Sequence, residues 1–303
     1  MYYRSRLDQE EIARRMGVSR STVSRMLSEA LETGVVEIRI RRALPLADGL
    51  QRDLVREFAL RDALVLDTSG RGEDALARVG RLAARYLDTT LGEGDVLAIS
   101  WGTGVRAVAD GLEPKVPRNV DVIQMLGGAG SRDPDVDGTE LARRLADLLG
   151  GRCRYLNAPL VVDDEGVAAA LLRQRSVRET LAAASHADVA VVGIGALVPK
   201  VSSLLRAGHL TRRGITEIRR SGAVGDVCGH LFSVDGQLVD AELARRIITI
   251  DLAGLRQIPR VVGVAVSTEK AEAIHGALRS RLVNVLATDD TTARAVLHLA
   301  RSA

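Results

Sequence analysis

From Arg61 onward, apolar runs with strand character alternate with segments of helical periodicity. That alternation limits the fold more than any other feature. Runs at 63–67, 96–100, 120–125, 189–194, 247–250, 261–265 and 283–287 read as strands, and helical patterns at 73–87, 138–149, 269–279 and 291–300 lie between them. A strand buried on both faces shows no in–out alternation, and strands separated by helices form a parallel sheet covered on both sides. The expected fold class is therefore α/β. Aromatic residues are only 2% of the chain, so the core must be built from Val, Leu, Ile and Ala.

The 303 residues suggest more than one domain. Residues 1–42 are dense in Arg and Ser and read as short helices followed by a strand. Residues 43–60 read as a connecting helix with one apolar stripe, Leu50, Leu54, Val55 and Phe58. The stripe suits packing on a second subunit or on its own domain equally. Residues 61–303 form the α/β domain.

Charge divides the same way. Residues 1–42 hold nine arginines and six acids, whereas the rest of the chain is balanced at 33 of each sign. An excess of positive charge confined to the N-terminal segment favours a polyanion there.

That segment contains QEEIARRMGVSRSTVSRMLSEALETGVVE, from Gln9 to Glu37. Ile12, Ala13 and Met16 give a first helix an apolar face, and Ala13 is small enough for a close helix crossing. Gly17 permits a sharp turn, and Ser19 suits the N-cap of a second helix whose Val23, Leu27 and Ala30 face inward. Arg20, Ser21, Thr22, Ser24, Arg25 and Ser28 remain to face outward, with Gln9 at the start of the first helix. Arginine reads guanine bidentately, and serine bonds bases or phosphates. The pattern predicts a helix-turn-helix that binds double-stranded DNA. The alternation at 35–40 predicts a winged type, with Arg39, Arg41 and Arg42 along the backbone.

Other classes are excluded or weakened. Cys153 and Cys228 form neither a CxxC pair nor a disulfide framework, and the five histidines lack metal spacing, so no metal or cofactor is expected. The N-terminal residues are too charged for a signal peptide, and the longest apolar run, 187–199, is interrupted by Asp188, Gly193 and Gly195. A cytoplasmic chain without a membrane span is expected.

The 9–38 segment resembles the DNA-binding domain of the SorC family of sugar-responsive transcriptional regulators. Ser100-Trp101-Gly102, Gly127-Gly128, GAVGDVCG at Gly222–Gly229 and EKAEAIHGALRSRLVNVLATDD at Glu269–Asp290 follow in the family's order. The resemblance spans nearly the whole chain. It implies an effector domain related to sugar-phosphate isomerases, a dimer or tetramer, and DNA binding governed by a phosphorylated sugar. The chain departs from the family twice. Gly104-Val105 stands where Thr-Leu is usual, and Val266-Ser267 where Gly-Gly is usual.

In an open parallel sheet, ligands bind beyond the C-terminal strand ends at a switch point. Ser100, Gly102, Thr103 and Gly104 form a strand-to-helix loop whose amides suit an anion. The loop also fits G-x-G-x-x-A, but Gln124 stands where a dinucleotide site needs an acid. Gly127 and Gly128 form a second candidate cradle, or a plain tight turn. The Asp133, Asp135, Asp137 series ends on Arg144 rather than the glutamate of a calcium loop, and reads as solvated loop carboxylates. Asp226 is a candidate acceptor for sugar hydroxyls. Lys270, one of three lysines against 39 arginines, is the candidate cation for a phosphate or sugar, or a lysine paired with Glu269 or Glu272.

These residues predict a DNA-binding regulator controlled by a sugar phosphate or related polyol. The alternatives are an isomerase-like enzyme, which would need a carboxylate base in the pocket, and a DNA-binding oligomer with a vestigial pocket.

Overall fold

The computed structural model describes residues 2, 7–33, 35, 44–68, 74–114, 116–130 and 134–302. Contacts divide the chain into two units, Met1–Ala43 and Leu44–Ala303. The connecting helix therefore falls within the larger one.

In the first unit, α1 (Gln9–Met16) and α2 (Arg20–Glu32) form a helix-turn-helix. Asp8 caps α1 by accepting from the Glu11 amide at 2.7 Å. Gly17 ends it in the left-handed region at φ 65°, where a residue with a Cβ would be strained. Ile12, Ala13 and Val23 form the buried centre, with Leu7, Val18 and Leu27 packed around it. Met16 does not join them and is 49% exposed. It is the last residue of α1, and Val18, after the turn, fills the position expected for it. The expected wing strand and Arg39, Arg41 and Arg42 lie outside the described residues, apart from an exposed Val35.

The second unit opens with α3 (Asp48–Phe58), whose Leu54 and Phe58 are buried in the large core, with Leu50 and Val55 partly so. The apolar stripe thus packs on its own unit. Burying a leucine contributes roughly 1.5–3 kcal/mol. β1 (Asp62–Leu66), β2 (Val96–Ile99), β3 (Val120–Gln124), β4 (Gly150–Arg154), β5 (Val189–Gly193), β9 (Val261–Val264) and β10 (Val285–Asp289) form one sheet in the order β1-β10-β9-β5-β2-β3-β4. Every pairing in it is parallel.

Helices cover both faces. On one side lie α4 (Ala75–Thr90), α5 (Thr103–Gly111) and α6 (Gly138–Leu149), packed through Val79, Leu87, Val105, Val108, Leu141 and Leu145. On the other lie α3, α13 (Ala271–Arg279) and α14 (Asp290–Ser302). Between β5 and β9 the chain forms α9 (Ser203–Arg206), α10 (Arg212–Arg220) and a small antiparallel sheet of β6 (Gly195–Ala196), β7 (Gly225–Val227) and β8 (His230–Phe232).

Three sequence expectations shift. The apolar run 247–250 is not a sheet strand. Ile247 and Thr249 make isolated bridges to Val161 and Leu126, and the segment crosses the end of the sheet. Its isoleucines are buried there, so its hydrophobicity could not distinguish the two placements. The last strand begins at Val285 rather than Val283, which is buried in the approach to it. The edge strand β4, GGRCR, has no apolar run, because an edge strand needs none. Among the described residues no helix is long and apolar enough to cross a membrane.

Candidate functional site

The strand order reverses between β2 and β5. From β2 the sheet grows through β3 to β4, and from β5 it grows through β9 to β10. The loops leaving these adjacent strands diverge and open a crevice at their C-terminal ends. A cavity of about 40 Å³ lies there. Ser100 to Gly104 enter it from β2, Gly193 to Gly195 from β5, and Val264 and Lys270 from the β9 end. Asp226 and Cys228 enter from β7 and its following turn, and Ser203 and Leu204 from α9.

The β2 loop delivers the start of α5. The first bond within that turn runs from the Arg106 amide to the Gly102 carbonyl at 3.0 Å, so the amides of Thr103, Gly104 and Val105 precede the helix's own bonding. Gly104 packs so closely on β9 that a β-carbon there would lie 2.6 Å from the Val264 carbonyl oxygen. The hydroxyl usual at this position in the family has no room here. Ser100 is buried and stitches the two loops together, its Oγ accepting from the Gly193 amide at 3.2 Å.

Asp226 and Lys270 supply the cavity's opposite charges. Asp226 Oδ2 accepts from the Gly229 amide at 3.1 Å. Burial pushes its carboxyl above the usual carboxylate range, while the Gly229 bond and Lys270 act against that shift. Lys270 Nζ donates to the Ile194 carbonyl at 3.1 Å. Burial, then the nearby Arg206 charge, hold it below the usual lysine range, and Asp226 acts in the other direction. The two form no ion pair with each other. Lys270 does not pair with its neighbours either: Glu269 binds Lys200 at 2.7 Å and Glu272 binds Arg219 at 3.1 Å. The Cys228 thiol is pushed upward by burial and by Asp226, so it stays protonated.

Gly127 and Gly128 do not line the cavity. Their amides are already bonded to the carbonyls of Ile248 and Ala158, both at 2.9 Å, and a β-carbon on Gly127 would collide with Pro159. They are a packed turn rather than a phosphate cradle. The adjoining Ala129 touches the site indirectly, because its carbonyl accepts from His209 Nε2 at 2.6 Å while the His209 ring meets Trp101 edge-on.

Gln124 is buried and bonded to Leu156 and Thr139, so it is a structural link. Asp135 pairs with Arg106 at 3.1 Å and Asp137 caps α6, which accounts for two of the loop carboxylates. Asp133 lies outside the described residues. Among the described residues no cluster fits a metal ion.

Sequence reading did not place Gly193, Gly195, Ser203 or Cys228 at the site. The same strand-end rule applied to β5 would have found the first two. The others arrive through the small sheet and a one-turn helix, which have no periodicity to detect.

In the first unit, the face of α2 carries exposed Arg20, Ser21, Ser24, Arg25 and Ser28. Neither arginine has a carboxylate partner among the described residues. Ser19 caps the helix through the Thr22 amide at 3.1 Å, and its Oγ also meets the hydroxyls of Ser21 and Thr22. These hydroxyls hold the turn. Gln9 lines one groove together with Arg20.

Residues 46–298 match the sugar-binding domain family model, and residues 1–33 match that of sigma-70 region 4. The chain is 30% identical to the deoxyribonucleoside regulator of Bacillus subtilis, covering 98% of this chain and 95% of the relative. It is 33% identical to the transcriptional regulator LsrR of Klebsiella pneumoniae, covering 99% and 91%. The full-length sorbitol operon regulator SorC of Klebsiella pneumoniae superposes with a TM-score of 0.76 at 28% identity, covering 98% of this chain and 96% of that one.

Proposed function

The chain belongs to the SorC family of sugar-responsive transcriptional regulators, and we propose that a small phosphorylated sugar or related polyol controls its operator binding. The observation that carries this reading is the pair of half-buried, oppositely charged groups, Asp226 and Lys270, that share one cavity without pairing with each other. Each has a single backbone hydrogen bond, which leaves most of its hydrogen-bonding capacity for a ligand. A sugar hydroxyl can donate to the carboxylate and accept from the ammonium at once. The α5 first turn beside them suits a phosphate.

The cavity's volume is about 40 Å³, room for roughly three waters. A pentose phosphate is larger than that, so it would extend out of the open mouth of the cavity or displace a wall. A displaced wall would be a basis for switching, because a ligand shifts a conformational equilibrium only when it favours one state. Arg20, Ser21, Ser24, Arg25 and Ser28 read base edges and phosphates, with Ser19, Thr22 and Gln9 fixing the approach. A homodimer or tetramer in the cytoplasm would set two reading helices on half-sites roughly 34–36 Å apart or a multiple of that spacing.

Thermal melts against a panel of sugar phosphates and polyols test the sensor. A ligand at 100 times its Kd adds about 2.7 kcal/mol of stability, and the same ligand should change a gel shift on operator DNA. Stabilisation by none of the panel would favour a vestigial pocket. Steady turnover of a sugar phosphate would favour the isomerase reading, with Asp226 as the cavity's carboxylate base.

A further inference from the structure

We propose that Phe58 is the positioning residue that couples the cavity to the DNA-reading unit, with α13 as the lever between them; the coupling rests on the effector reading above. α3 follows the helix-turn-helix unit in the chain and is the covalent route from the cavity domain to it. Its last residue, Phe58, is buried against α13.

One end of α13 is joined to both charges of the cavity. Lys270, which lines the cavity, is the N-cap of this helix. Asp226 is linked to it through the neighbouring Gly225, where a β-carbon would lie 2.6 Å from Ala273 Cβ. β7 and α13 meet there with no side chain on the glycine between them, so a shift of one is felt by the other.

The other end grips Phe58. His275 and Arg279 lie one turn apart on the same face of α13 and reach the same ring. The His275 ring meets it at 83° with centroids 5.4 Å apart, and the Arg279 guanidinium carbon stands 5.8 Å from its centroid. Arg279 also pairs with Glu57 at 3.8 Å. The chain has two phenylalanines, and both bear on α13, because Phe232 lies 2.8 Å from where a β-carbon on Gly276 would stand. A displacement at Lys270 or Asp226 is thereby passed to the last turn of α3.

Two local costs attend the observed setting of α13. Ser267, in the loop before it, holds φ 127°. His275 Nδ1–H donates to the Val234 carbonyl at 2.8 Å, but its Nε2 is buried with no hydrogen-bond partner among the described residues. Backbone strain and a buried unpaired polar atom both raise the energy of this arrangement. They narrow the gap to a second arrangement that a ligand can favour.

Hydrogen exchange of the full chain, read at the amides of residues 52–58, tests the lever without ligand or DNA. Lys270→Gln perturbs the cavity end and should change the protection of these amides about threefold or more. Asp226→Asn should act on the same amides through Gly225 and Ala273. In the Phe58→Leu background neither substitution should change them. Arg279→Gln removes one contact from an exposed side chain without opening the core, and should reduce the effect partway. A Phe58 that only fills the core would leave the response to Lys270→Gln the same in both backgrounds, and that result would overturn the coupling role. No response in the wild type, or one shared equally by the amides of β2 and β3, would overturn the lever. The thermal melts decide the effector reading separately. A positive result here with no stabilising ligand in the panel would leave the coupling standing and the sensor reading fallen, and the opposite pair of results would do the reverse.

Discussion

The carboxylate of Asp226 closes over Gly195. The two residues face each other across β6 and β7, and a β-carbon built on Gly195 would collide with Asp226 Oδ1. The missing side chain is what allows the carboxylate to sit in the cavity. Gly195→Ala should push Asp226 aside and weaken sugar binding about tenfold or more, the effect of losing one hydrogen bond to a charged group. The collision is with a side chain that can rotate, so the fold should survive. Titration with the best ligand of the panel and a thermal melt measure the two effects separately. Unchanged affinity would remove Asp226 from the site.

Arg20→Ala and Arg25→Ala should each cost about 1–3 kcal/mol of specific operator binding if each reads a base bidentately. Both side chains are exposed and have no acidic partner among the described residues, and alanine favours a helix, so the circular dichroism spectrum should not change. Ser24→Ala and Ser28→Ala should weaken binding less. A gel shift showing intact specific binding for both arginine variants would assign the reading surface elsewhere.

The parts of this molecule that the sequence made legible are those that repeat a simple physical rule. β2, β5 and β9 are continuous apolar runs because helices cover both faces of the sheet, and Gly17 and Ser19 announce a turn by their own stereochemistry. Segment 247–250 misled because burial alone makes a run apolar, whether it pairs along a sheet or crosses its end. Gly127 and Gly128 stayed ambiguous between a cradle and a tight turn because a glycine needed for close approach to Pro159 looks the same as one that cradles an anion. Asp226 and Lys270 could be named from the sequence. Their arrangement across one cavity could not, since it depends on where β7 and the β9 loop meet in space.

His230 links folding stability to pH. Its Nε2–H donates to the Ile250 carbonyl at 2.8 Å, across to the segment that closes the sheet end. Burial, the largest influence, lowers its pKa from 6.5, and the Ile250 bond and Asp251 oppose that shift. A histidine held neutral in the fold contributes stability that is complete above its unfolded value and lost as pH falls through the lowered folded value. Urea melts at about pH 8 and about pH 5.5 should therefore show a greater acid loss for the wild type than for His230→Gln, which keeps a donor but cannot titrate. Identical losses in the two chains would show that His230 does not carry this part of the pH dependence.

Ser267 stands at φ 127° and ψ 134°, a conformation suited to glycine, and at a position where the family usually has glycine. Its backbone amide donates to Thr292 Oγ1 at 2.9 Å, which holds the loop in place, and its Oγ accepts from the Glu269 amide at 3.2 Å. Strain of this kind costs about 1–3 kcal/mol, and the side-chain cap offsets only part of it. Ser267→Gly relieves the strain, keeps the Thr292 bond and loses the cap, for an expected net gain of roughly 1 kcal/mol. In a domain of this size that raises Tm by about 2–4 °C. Ser267→Ala keeps the strain and loses the cap, so it should melt below the wild type. The order Gly above Ser above Ala is specific to backbone strain, because a simple loss of the hydroxyl would lower both variants together. A glycine variant that melts with the alanine one would show that the loop holds no strain to release.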